Sequence, residues 1–156
     1  MIDGSVQLKS ELVALNVAHR FVEKVVDKYP EFQPIYGNIE LAVAEAVNNA
    51  IIHGNRFDPN KSVRLAYTLT ENSLRFEVED EGTGFDYLHL PNPILPENLE
   101  KLEGRGVYLI KRLANRVTFE NNGSLVIMEF DKLDTGLLEK QQDAYSILQS
   151  DGALQR

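Results

Sequence analysis

The chain has 156 residues, 43% of them apolar, with 24 acidic against 16 basic side chains, a formal charge of −8 and no cysteine. That length suits one compact core, and the missing cysteines exclude disulfides, thiolate chemistry and Cys-ligated zinc or iron–sulfur sites. The acidic balance, without a dense Lys/Arg cluster, argues against nucleic acid. The lack of an apolar run of about 18 residues argues against a membrane span, and no secretory pattern marks the N-terminus, so a cytoplasmic location is expected. An acidic protein still holds a polyphosphate where backbone amides and a divalent cation supply local positive potential.

In chain order, Ser10 reads as the N-cap of a helix to about 29, with Leu12, Leu15, Ala18, Phe21, Val22 and Val25 at helical spacing and Pro30 as its stop. A second helix is expected over 36–53, closed by Gly54 as a left-handed C-cap, with an interior rich in Ala, Val and Ile that calls for burial. Val63, Leu65, Tyr67 and Leu69, then Leu74, Phe76 and Val78, alternate with polar residues as a hairpin with one wet face. The segment 87–103 carries Pro91, Pro93 and Pro96 and reads as a loop or lid, with room for a helical turn over 97–102. Gly104-Arg105-Gly106 then opens a short helix over 107–115, and Val117-Thr118-Phe119 pairs with 124–130 around Asn122-Gly123. The expected division is one domain over 1–133 and a helix or tail over 134–156.

Three groups carry chemistry. Glu45, Asn49 and His53 lie four residues apart, forming one polar stripe on an Ala-rich helix. An ordinary solvated face would account for such a stripe, but no Lys or Arg occurs between Ile39 and Asn55. A carboxylate beside an amide suits metal–phosphate work: the oxygen of Asn49 can join the octahedral shell of Mg²⁺, while Glu45 orients and deprotonates a nucleophilic hydroxyl. Asp80-Glu81-Gly82-Thr83-Gly84-Phe85 follows a strand. Asp and Gly make turns in many proteins, yet a carboxylate at a strand end can accept the amino hydrogen of adenine, and glycines let a ring approach the backbone. Gly104-Arg105-Gly106 stands before a helix, where free N–H groups and the macrodipole favour a phosphate. No Gly-x-x-x-x-Gly-Lys-Ser/Thr sequence is present.

The stretch Leu41-Ala42-Val43-Ala44-Glu45-Ala46-Val47-Asn48-Asn49-Ala50-Ile51-Ile52-His53-Gly54 resembles the N box of the gyrase/chaperone/histidine-kinase/MutL superfamily, in its branch of anti-sigma-factor serine/threonine kinases. Asp80 to Phe85 resembles that branch's first glycine box, Gly104 to Ile110 its second, and Leu95-Pro96-Glu97-Asn98-Leu99 its short ATP lid. The resemblance implies the Bergerat ATP-binding fold, an α+β two-layer sandwich in which helices cover a mixed β-sheet. Carried over by position, it puts the magnesium ligand on Asn49, the catalytic base on Glu45, the adenine-reading carboxylate on Asp80, and the turn glycines on Gly82, Gly84, Gly104 and Gly106. It brings Arg105 within reach of a phosphate. Asn48 adjoins the ligand, but spacing from Glu45 and phase with His53 favour Asn49. For His53, a helix-end position suits the C-terminal dipole without any catalytic role.

The resemblance further implies ATP or ADP with Mg²⁺, phosphoryl transfer to a serine or threonine of an anti-anti-sigma protein, and sequestration of a sigma factor. It implies a homodimer, to which the first helix or the tail residues Leu137, Leu138, Tyr145 and Leu148 would contribute. Two alternatives stand beside this: an ATP-binding regulatory module that inhibits a partner by docking without transfer, and a detached histidine-kinase catalytic domain. The second usually has Asn where this chain has Glu45.

Overall fold

The computed structural model describes residues 1–95, 97 and 104–133. Strand β1 (Gly4–Lys9) precedes helix α1 (Ala14–Lys28), and α2 (Tyr36–Asn49) follows after a 3₁₀ stretch, Pro30–Ile35. Helix α2 continues into a π-helical turn, Ala50–Gly54. Then come the hairpin β2 (Ser62–Leu69) and β3 (Ser73–Glu79), helix α3 (Arg105–Leu113), and the hairpin β4 (Arg116–Glu120) and β5 (Leu125–Asp131).

The strands form one sheet in the order β1-β2-β3-β5-β4. Period-2 alternation gives it two unlike faces. Cross-strand pairs such as Leu65 with Val78, Tyr67 with Phe76, and Phe76 with Met128 put apolar side chains on one face. This face meets Ala18, Val22, Val25 and Val26 of α1 and Ile39, Ala42, Val43, Ala46 and Val47 of α2, all buried in one core. The opposite face is wet, as the hairpin pattern predicts, and bears the ion pairs Arg64–Glu77, Arg64–Glu79, Arg75–Glu129, Arg116–Glu129 and Arg116–Asp131.

The two-layer α+β sandwich is present, with one difference from the mixed sheet expected. Every pairing among the described residues is antiparallel. Strands β3 and β4 run the same way, but β5 turns back and inserts between them, so they never pair. Strand β1 is absent from the sequence reading because only Val6 and Leu8 alternate inward there, too short a pattern to stand out.

Ser10 is not the cap of α1. Its hydroxyl donates to the Lys61 carbonyl at 2.5 Å, and α1 starts at Ala14 without a side-chain cap. Gly54 is not a left-handed cap either; the left-handed residues are Arg56 and Phe57, at φ 52° and 59°. Helix α3 starts and ends two residues before the expected 107–115. Within the lid, 87–95 forms turns without a regular element. The helical turn at 97–102, apart from Glu97, and the tail with Leu137, Leu138, Tyr145 and Leu148 lie outside the described residues. Among the described residues, no helix is long and apolar enough to cross a membrane.

Candidate functional site

The end of α2, the loop after β3, the start of α3 and the β4–β5 turn enclose a cavity of about 430 Å³. Its walls are largely apolar, including Val78, Ile110, Phe119 and Val126, with Asn49, His53, Asp80 and Ser124 as polar groups. A few polar groups in an apolar concavity are the usual make-up of a small-ligand site.

Helix α2 brings in the first group. Ala42, Ala46 and Ala50 are buried, so the helix sits deep while Glu45 and Asn49 are half-buried one turn apart. Asn49 lines the cavity and Asn48 does not. His53, one turn further, is exposed and also lines the cavity. Among the described residues neither Glu45 nor Asn49 has a hydrogen-bond partner for its side chain.

The N-terminus of α3 closes on this pair. Gly104 adopts φ +80°, a left-handed conformation that suits glycine, and turns the chain into the helix. A Cβ on Gly106 would lie 2.9 Å from Asn49 Nδ2, 3.1 Å from Glu45 Oε2 and 3.2 Å from Asn49 Oδ1. Only a residue without a side chain lets the first turn of α3 rest against those two groups. Among the described residues no three His, Asp or Glu side chains cluster as a metal site. One or two protein oxygens completed by phosphate oxygens and water are, however, the usual way of holding Mg²⁺, and the side-chain oxygen of Asn49, on the cavity wall, fits that role.

Asp80 ends β3 on the far side. Its N–H donates to Ser124 O at 2.9 Å, tying it to the start of β5, and its Oδ1 accepts the Gly82 N–H at 2.8 Å. Burial pushes its carboxyl above the ordinary aspartate range, the Gly82 hydrogen bond pulls against this, and nearby Glu79 adds to the rise. Gly54 packs directly on this carboxylate: a Cβ there would overlap the Asp80 side chain, and a Cβ on Gly82 would overlap the Gly54 carbonyl. Glycine at 54 is thus explained by close approach, not by a helix cap. Gly84, at φ +89°, packs on Asn122, whose carbonyl accepts the Phe85 N–H at 2.8 Å.

Of the residues singled out in the sequence, Asn49, Asp80, Gly84, Gly104 and Gly106 line the cavity. Gly82 supports Asp80 from behind, Glu45 lies beside Gly106 outside the lining, and Arg105 is the exposed first residue of α3. Sequence reasoning missed Phe119, whose ring meets Phe85 edge-on at 5.7 Å and stacks on Tyr87 at 4.8 Å, forming an aromatic wall. It also missed buried Asn55, signalled only as an amide just past Gly54.

The sequence pattern of a family described as the histidine kinase-like ATPase domain matches residues 8–130. Serine-protein kinase RsbW of Bacillus subtilis (strain 168) is 28% identical over 96 residues, covering 58% of this chain and 60% of that protein. An anti-sigma F factor of Clostridium perfringens (strain SM101 / Type A) is 32% identical over 97 residues, covering 59% of this chain and 69% of that protein. The match to RsbW thus spans less than two thirds of that protein's length. The crystal structure of the RsbU and RsbW domains of Rv1364c from Mycobacterium tuberculosis has the same fold, with a TM-score of 0.58 at 16% identity over 82% of this chain and 32% of that one.

Proposed function

We propose that this chain, which belongs to the histidine kinase-like ATPase domain family, is an ATP-dependent protein serine/threonine kinase that regulates a sigma factor by phosphorylating an anti-anti-sigma partner. The family implies nucleotide use, and the names of the relatives, a serine-protein kinase and an anti-sigma F factor, support the rest. The observation that carries the kinase reading is Glu45 one helical turn before Asn49, both against Gly106 at the start of α3.

In this reading Asp80 accepts the exocyclic amino hydrogen of adenine, and Gly84 lets the ring lie close to the backbone. The amides at Gly104, Arg105 and Gly106 face the phosphates, where the positive end of the α3 dipole favours them. Asn49 would hold Mg²⁺, which when bound would neutralise phosphate charge. Glu45 accepts the proton of the attacking serine or threonine hydroxyl. That oxygen bonds to the γ-phosphorus as the bond to the β–γ bridging oxygen breaks, and ADP leaves.

A second reading, an ATP-binding module that inhibits its partner by docking, draws on Glu45 lying outside the cavity lining. The experiment is transfer of γ-labelled phosphate from ATP to a protein co-purified from the native cell, followed by identification of the labelled amino acid. Phosphoserine or phosphothreonine is expected. ATP binding with no transfer selects the docking module, and acid-labile phosphohistidine selects a histidine-kinase domain.

A further inference from the structure

Asn55 is only 2% exposed and uses both ends of its side-chain amide. Its Nδ2 donates to Ser10 Oγ at 3.0 Å and to Ser62 O at 2.9 Å, and its Oδ1 accepts the Glu81 N–H at 2.8 Å. Ser10 passes the network on to Lys61 O, and the Glu81 carboxylate accepts the Ser62 N–H at 2.6 Å. One buried amide therefore ties three segments together: the turn after β1, the start of β2, and the loop after β3.

The chain around it is arranged to keep it there. The π-helical turn is closed by the Asn55 N–H donating to Ala50 O at 2.8 Å, five residues back. The next two residues, Arg56 and Phe57, both take the left-handed conformation, which is unfavourable for residues with a Cβ and for bulky ones especially. Immediately before it, Gly54 packs without a Cβ on the Asp80 carboxylate and Gly82 packs on the Gly54 carbonyl. The Glu81 amide held by Asn55 lies between Asp80 and Gly82.

We propose that Asn55 is a positioning residue for base selectivity. By fixing the Glu81 amide to the residue just past the π-helical turn, it holds the Asp80 carboxylate at the depth and angle that distinguish adenine from guanine. The inference rests on the reading of Asp80 as the adenine acceptor. Without the clamp the loop can move away from Gly54, and an acceptor out of place gives up much of its directional hydrogen bond. The phosphate end of the site, on α3, is untouched by the loss.

The test compares the ATP and GTP dissociation constants of the whole chain, by calorimetry, for wild type, Asn55→Ala, Ser10→Ala and Asp80→Asn, with the melting temperature of each. Asn55→Ala is expected to reduce the ATP-over-GTP preference by roughly tenfold, the worth of about one hydrogen bond, chiefly through weaker ATP binding. Ser10→Ala, which removes one acceptor from Nδ2 but leaves the Glu81 bond, should lower the melting temperature with the preference intact. Asn55→Ser is the second variant if Asn55→Ala does not fold; its hydroxyl is too short to reach the Glu81 amide, and the same loss of preference is expected. If Asp80→Asn lowers the preference while the Asn55 variants keep it, the positioning role is wrong and the reading of Asp80 stands. If Asp80→Asn leaves the preference unchanged, the adenine assignment fails and the inference fails with it.

Discussion

Gly106 rests against Asn49 so closely that a methyl group on its Cα would come 2.9 Å from Nδ2. The atoms in the way are the far ends of the Asn49 and Glu45 side chains, and Gly106 does not have a positive φ. Gly106→Ala therefore strains no backbone and improves helix propensity by up to about 1 kcal/mol, while it pushes both polar groups out of place. The expected outcome is an unchanged or higher melting temperature with phosphoryl transfer lower on the order of a hundredfold, the scale of an ångström's misplacement at a reacting centre. Unchanged transfer would remove the contact between α2 and α3 from the mechanism. Gly37, in the first turn of α2 with nothing near its Cβ position, is the control: Gly37→Ala should stabilise by roughly 0.5 kcal/mol and leave transfer alone.

Asp80 is expected to set stability against binding. An acid whose folded pKa is raised takes up more protons folded than unfolded, so stability falls as pH rises from the ordinary value of 3.8 through the raised one. Above that window the folded protein without nucleotide bears the full cost of a partly buried charge. Asp80→Asn keeps an acceptor for the Gly82 N–H and removes the charge. Chemical denaturation across pH should give a flatter profile in that window and a slightly more stable apo protein at neutral pH. Nucleotide titration should show ATP affinity lower by about ten- to a hundredfold, from the loss of a charge-assisted hydrogen bond. A variant that loses stability at neutral pH would contradict the burial argument, and one that binds ATP as wild type does would contradict the adenine assignment.

On the wet face of the sheet the sign reverses. Glu129 accepts hydrogen bonds from Arg116 Nε at 2.6 Å and Arg75 Nη2 at 2.8 Å, and these guanidinium groups hold its carboxyl below the ordinary glutamate value of 4.5. Its stabilisation is present above that value and lost as pH falls through the lowered one. Both arginines are substantially exposed, so Glu129→Gln should cost only about 1 kcal/mol at neutral pH, with the gap to wild type closing in acid. Denaturation at two pH values decides this. A gap that persists in acid would mean that packing, not charge, is responsible.

The parts of the site that could be read from the sequence are those encoded at short range. Glu45 and Asn49 face the same way because four residues make about one helical turn, and Asp80 to Gly84 announces a turn by composition wherever it is met. The rest depends on partners distant in the chain. Gly54 invites the reading of a helix cap because its actual neighbour, Asp80, lies 26 residues on. Ser10 invites the reading of an N-cap because Lys61 and Asn55, which it bonds, are 51 and 45 residues away. The insertion of β5 between β3 and β4 has no local signature, and Phe119 becomes part of the cavity wall only because of it.

Glu45 and Asn49 share one face of α2 but are assigned different tasks, and two substitutions separate them. Glu45 lies outside the cavity lining, beside Gly106, so it need not touch bound nucleotide. Glu45→Ala should therefore keep ATP affinity while phosphoryl transfer falls by roughly 10²–10⁴, the contribution of a positioned general base. Asn49 lines the cavity, so Asn49→Ala should weaken both Mg·ATP binding and transfer, because the cation loses a protein oxygen and the phosphates their alignment. Titrating each variant with ATP at fixed Mg²⁺, beside labelled-phosphate transfer to the co-purified partner, gives both quantities. Wild-type transfer by Glu45→Ala would mean that another group takes the hydroxyl proton. A loss of ATP affinity equal in the two variants would mean that Glu45 acts with Asn49 on the cation instead, and the two assignments would merge into one.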